Sequence, residues 1–139
     1  YRAAQAGVEV EILVRGMCSL KPGVAGLSET VKVRSVLGRY LEHSRAFTFL
    51  GGGDPAVYIG SADMMHRNLD RRVEALVRLV QPDHIQIIND LFDLAMSDSA
   101  ASWHLDSNGE WQRHQYAQDS TRLIDVQDQL MRDIHAKRR

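Results

Sequence analysis

Val8-Glu9-Val10-Glu11-Ile12-Leu13-Val14 alternates apolar and acidic residues and then turns wholly apolar. Alternation has the period of a strand, whose successive side chains face opposite sides of a sheet. The apolar run at its far end predicts a strand covered on both faces. Arg15-Gly16 stands where that strand stops, and chemistry gathers at strand ends in open α/β sheets. Upstream, Tyr1-Arg2-Ala3-Ala4-Gln5-Ala6-Gly7 reads as the close of a helix with a glycine stop, in a piece of a longer protein. Downstream, residues 17–27 hold Pro22, Gly23 and Gly26 and read as a loop. Ser28-Glu29 opens a short helical turn, and Val31-Lys32-Val33-Arg34-Ser35-Val36 has the period of a second strand with one polar face.

The same logic carries along the rest of the chain. Residues 45–50 and 56–60 read as antiparallel partners across the turn Gly51-Gly52-Gly53-Asp54-Pro55. Residues 71–80 have an ambiguous period and are assigned to a strand, because Gln81-Pro82-Asp83 punctuates them. Pro82-Asp83 opens a helix to about Met96, with Ile85, Ile88, Leu91, Phe92 and Ala95 on one face. Trp103-His104-Leu105 and Glu110-Trp111-Gln112-Arg113 flank Ser107-Asn108-Gly109, a strong hairpin signal. Ser120 is expected to cap a final helix whose seam is Leu123, Ile124, Gln127, Leu130, Met131 and Ile134. Lys137-Arg138-Arg139 would complement the negative end of that helix.

Composition bounds the possibilities. The 139 residues suit one domain, 1–139; 44% are hydrophobic and 25% charged, as in an ordinary globular protein. The net charge of -1 gives no sign of nucleic-acid binding, so an anion site has to be local. The single cysteine, Cys18, excludes an internal disulfide and points to a reducing compartment. It reads as a small buried residue. No apolar run approaches the ~20 residues of a membrane span. The histidines lack ligand spacing with one another and with Cys18, so no zinc site is read. Trp103 and Trp111 are expected to pin the hairpin to the core.

Chemistry concentrates in three stretches: Leu41-Glu42-His43-Ser44-Arg45, Gly60-Ser61-Ala62-Asp63 and Arg67-Asn68-Leu69-Asp70-Arg71-Arg72-Val73-Glu74. Arginine presents a planar fork of donors matched to phosphate oxygens. Histidine exchanges protons near neutral pH or attacks phosphorus directly. Together they point to phosphoryl transfer rather than acyl transfer or redox chemistry. The glycine triplet is a turn and not a phosphate loop, because no lysine and no helix start follow it. Plainer readings stand beside these. Arg15 could pair with Glu11 or Glu42, Arg71-Arg72 could guard an edge strand, and Ser61 with Asp63 could simply make a turn.

These stretches, in order with Val14-Arg15-Gly16, Lys21-Pro22-Gly23-Val24-Ala25-Gly26-Leu27-Ser28-Glu29, Val33-Arg34-Ser35, Gly38-Arg39-Tyr40 and Tyr58-Ile59, closely resemble the last domain of bacterial polyphosphate kinase. The resemblance is dense over residues 1–80 and then rests on length, the tryptophans and the terminal helix. It implies an α/β (α+β) fold, a mixed β-sheet flanked by helices, as one phospholipase-D-like half. The phospholipase pattern of histidine, one residue, lysine, then Gly-Ser-x-Asn appears here as His43-Ser44-Arg45 and Gly60-Ser61-Ala62-Asp63. Arginine for lysine and aspartate for asparagine depart from the phospholipase and suit the kinase.

The resemblance implies reversible transfer of the terminal phosphate of ATP to polyphosphate, through a phosphohistidine on a preceding domain. It assigns His43 as a catalytic residue and Arg15 and His43 as contacts to ATP phosphates. Lys21, Arg45, Ser61, Arg67, Arg71 and Arg72 are candidates for phosphate or polyphosphate contacts. Mg2+ would be held mainly upstream, ATP and ADP would be substrates, and the isolated chain should be inactive or nearly so. The parent would be a homo-oligomer, cytoplasmic, free or peripheral at the inner membrane. Two alternatives are kept: a phospholipase-D-like phosphodiesterase or nuclease acting as a homodimer, and a non-catalytic anion-binding module.

Overall fold

A computed structural model describes residues 1–53 and 55–137. Asp54 of the expected turn, and Arg138 and Arg139 of the expected basic end, lie outside the described residues. The chain divides into two compact units, residues 1–42 with 93–139, and residues 43–92.

The first unit opens with α1 (Arg2–Gln5), and Gly7 takes the left-handed φ of 83° that the glycine stop requires. Strands β1 (Val10–Val14) and β2 (Val31–Ser35) run parallel, Val10 opposite Val31. The hairpin strands, β6 (Ser102–Leu105) and β7 (Trp111–His114), complete a mixed sheet in the order β1-β2-β6-β7. One face carries Val10, Ile12, Val14, Val31, Val33, Leu105 and Trp111, and Ala4 and Cys18 pack with them. Leu13 projects from the opposite face, as alternation demands, and joins Val36, Leu94, Ala95, Ala100, Val126 and Leu130. The polar face expected of β2 is only half left to solvent. Arg34 is buried, donating Nη1 to the Ser97 carbonyl at 2.7 Å and Nη2 to Asp98 at 2.6 Å. Lys32 stays exposed and pairs with Glu11 at 3.1 Å.

The hairpin forms around Ser107-Asn108-Gly109 as the sequence predicts. Gly109 supplies φ 88°, and Asp106 Oδ1 accepts the backbone N–H of Asn108 and of Glu110, both at 2.9 Å. Trp111 packs on the core, while Trp103 is half-buried under the Arg113 guanidinium, 5.4 Å from its ring centre.

The final helix corrects the sequence reading: it is α4 (Val126–Lys137). Ser120 does not cap it but sits in a turn at φ 66° closed by the Tyr116–Arg122 bridge, and a further bridge from Ala100 to Ile124 keeps the chain non-helical up to Ile124. The cap is Asp125, whose carboxylate accepts the Asp128 N–H at 3.1 Å.

The second unit is built on an antiparallel sheet, β3 (Ala46–Phe49), β4 (Ala56–Gly60) and β5 (Leu76–Leu79), with β4 central. Between β4 and β5 lies α2 (His66–Arg71), so the strand expected over 71–80 is confined to its second half. Arg71 therefore ends a helix and guards no strand edge. The helix α3 (Pro82–Met96) matches its predicted bounds; its residues to Phe92 belong to this unit and its last turn to the other. No helix among the described residues is long and apolar enough to cross a membrane.

Candidate functional site

In the second unit the candidate residues gather at the starts and ends of β3 and β4. His43 and Arg45 both precede β3, so the strand expected over 45–50 begins one residue later. Arg45 turns back instead: its Nη1 lies 2.7 Å from His43 Nδ1 and 3.3 Å from the His43 carbonyl oxygen, and its Nε donates to Asp63 at 2.7 Å. A guanidinium has no acceptor, so Nδ1 must offer its lone pair and the ring proton falls on Nε2. The bond to Asp63 raises the Arg45 pKa above its ordinary value, so this donor stays charged. His43 itself is exposed.

Two residues before Asp63, Ser61 is engaged on both sides. Its hydroxyl donates to the Glu74 carboxylate and accepts the Ala75 N–H at 3.1 Å. Asn68, fully buried on α2, donates Nδ2 to the other Glu74 oxygen at 2.8 Å. The Ser61 hydroxyl and then the Asn68 amide hold the Glu74 carboxyl below the usual carboxylate range. Gly60 shows why that corner needs glycine: a Cβ there would sit 2.5 Å from the Ala75 carbonyl oxygen. Ser61 thus fastens the β4–β5 corner while Asp63 anchors Arg45. Arg67 and Arg71 stand one helical turn apart on α2, exposed, with Arg72 extended at its end.

In the first unit Arg15 follows β1 and is exposed. It makes neither carboxylate pair weighed from the sequence; its Nη1 donates to the Glu42 backbone carbonyl at 2.7 Å. That carbonyl belongs to the peptide joining Glu42 to His43. Lys21 is exposed, its backbone N–H bonded to the Tyr1 hydroxyl at 2.9 Å. It lies in the first unit, whereas Arg67, Arg71 and Arg72 lie in the second. Among the described residues no three His, Cys, Asp or Glu side chains are placed to hold a metal ion.

Sequence reasoning missed the partners of these residues. Asp63 and Glu74 lie within the quoted stretches, but nothing local says that one holds Arg45 and the other Ser61. Gln127, treated as a seam residue, bonds the loop that leads to His43.

The family model described as polyphosphate kinase C-terminal domain 2 matches residues 1–127. A polyphosphate kinase of Streptomyces coelicolor is 58% identical over 139 residues, all of this chain and 18% of that protein. Polyphosphate kinase 1 of Chlorobaculum tepidum is 48% identical over 111 residues, 80% of this chain and 16% of that protein. The crystal structure of polyphosphate kinase from Porphyromonas gingivalis superposes with a TM-score of 0.87 at 32% identity, covering 98% of this chain and 20% of that one. The mixed α+β fold thus has a solved counterpart, and the chain belongs to the polyphosphate kinase C-terminal domain 2 family. It spans about a fifth of the length of these relatives.

Proposed function

We propose that this chain is the C-terminal catalytic domain of an ATP:polyphosphate phosphotransferase, moving the terminal phosphate of ATP reversibly onto polyphosphate. In this reading a histidine of a preceding domain attacks the terminal phosphorus and carries the phosphoryl group. ADP leaves with the electron pair of the broken bond. His43 and Arg15 contact the ATP phosphates: Arg15 neutralises oxygen charge, and His43 donates Nε2–H to the oxygen that becomes the leaving group. Arg45, Lys21, Arg67, Arg71 and Arg72 supply further positive charge for a polyanion, and Ser61 braces the site. Mg2+ is held mainly upstream of this chain, and the parent enzyme is a cytoplasmic homo-oligomer, free or peripheral at the inner membrane, that binds no nucleic acid.

The observation that carries this reading is the 2.7 Å bond from Arg45 to His43 Nδ1. It gives an exposed imidazole one defined tautomer, with a donor on the outer nitrogen, the form that proton donation to a phosphate oxygen needs. Replacing His43 with Ala in the full-length enzyme should lower polyphosphate synthesis about 10²- to 10⁴-fold. The purified 139-residue chain should take up no label from ATP. An unimpaired His43→Ala enzyme would remove the assignment. Cleavage of a model phosphodiester by the isolated chain, without ATP, would replace it with the hydrolase reading.

A further inference from the structure

Gln127 is 5% exposed, in the first turn of α4, and its amide is fully committed to one loop. Oε1 accepts the Tyr40 N–H at 2.7 Å. Nε2 donates one hydrogen to the Tyr40 carbonyl at 2.8 Å and the other to the Glu42 carboxylate at 2.5 Å. Bonding both the N–H and the C=O of one residue is what a neighbouring strand would do. Here a side chain does it for a stretch that belongs to no strand.

The loop has little else to fix it. Leu37, Tyr40 and Leu41 are 58%, 51% and 72% exposed, so apolar burial anchors it weakly. Gly38 completes the fit. A Cβ there would lie 2.6 Å from Gln127 Cδ, so the missing side chain makes room for the amide. Glu42 is then held twice, its carboxylate by Gln127 and its carbonyl by Arg15.

We propose that Gln127 is a positioning residue for phosphoryl transfer, setting the 38–42 loop so that the Glu42 carbonyl meets Arg15. The inference rests on the reading of Arg15 and His43 as ATP-phosphate contacts. A misplacement of about 1 Å in such a site costs on the order of 10²-fold in rate.

The test uses the full-length enzyme with three variants. Gln127→Met keeps the length and loses both donors. Gln127→Glu keeps the acceptor for Tyr40 but sets a charge beside Glu42. Gly38→Ala displaces the amide from the loop side. Each should lower kcat/KM for ATP about 10- to 100-fold. Adding Gln127→Met to Arg15→Ala should cost less than about threefold more, because coupled residues are not additive. The Tyr40 amide should also exchange its hydrogen faster in Gln127→Met. Unimpaired Gln127→Met and Gly38→Ala enzymes beside an impaired Arg15→Ala would remove the brace alone, as would additive losses or unchanged Tyr40 exchange. An unimpaired Arg15→Ala would remove the underlying ATP-contact reading. If Gln127→Met fails to fold, Gly38→Ala decides by the same readouts.

Discussion

Acidification should destabilise the first unit through one imidazole. His104, on β6, pairs across the sheet with Arg34 on β2, stacks on His114 with ring centres 4.0 Å apart, and bonds Ser102 Oγ at 3.0 Å. Burial, then the Arg34 charge, then His114 push its pKa down from 6.5 to about 4, against a weaker opposing pull from Asp98. The unfolded chain binds this proton near pH 6.5 and the folded chain only near pH 4. Stability is therefore intact above about pH 6.5, falls as the pH drops through that window, and has lost the full contribution below about 4. At about 1.4 kcal/mol per unit the ceiling is about 3 kcal/mol. The ring is only partly buried, so solvent screening reduces this to about 1–2 kcal/mol. Denaturant unfolding at pH 7 and pH 4, for the native chain and His104→Gln, isolates the effect. The native chain should lose about 1–2 kcal/mol more than the variant, and its His104 ring signal should titrate near pH 4 by NMR. A ring titrating near 6.5, or parallel losses in the two proteins, refutes the reasoning.

Two further expectations concern the second unit. Gly60→Ala should destabilise by about 1–3 kcal/mol, because the new Cβ meets the Ala75 carbonyl oxygen and pushes β5 from β4; chemical denaturation measures it, and a neutral result would mean the corner gives way freely. Asp63→Asn weakens the charged anchor of Arg45 and with it the His43 tautomer. Polyphosphate synthesis by the full-length enzyme should fall about tenfold or more, with little change in melting temperature, and an unchanged rate would show that Arg45 needs no such anchor.

The alternating runs told their own story because a strand's period is written in consecutive residues. β1 to β4 lie where alternation placed them, and Pro82 marks the first residue of α3. α2 was not legible: six residues with no side-chain cap leave no periodic trace, and Asn68 is buried there only because Glu74 receives it. Ser120 and Asp125 are equally good caps on paper. The bridges at Tyr116–Arg122 and Ala100–Ile124 chose between them by closing a turn around Ser120 and keeping the chain out of a helix up to Ile124. Arg34 read as the polar side of a half-exposed strand, and only residues more than sixty positions later cover it.

By itself, then, the sequence determined the alternating strands, the Pro82 helix start and the family, and it nominated His43, Arg15 and their companions, since those depend on period, turn chemistry and residue type within short windows. Tertiary structure alone decided that the seven strands among the described residues make two sheets, that Arg15 bonds a backbone carbonyl, that Arg45 bonds His43, and that Gln127 holds a loop 85 and 87 positions back in the chain. A hydrogen bond is specified by where two groups meet in space, and no window of neighbouring residues contains that meeting when its partners are this far apart along the chain.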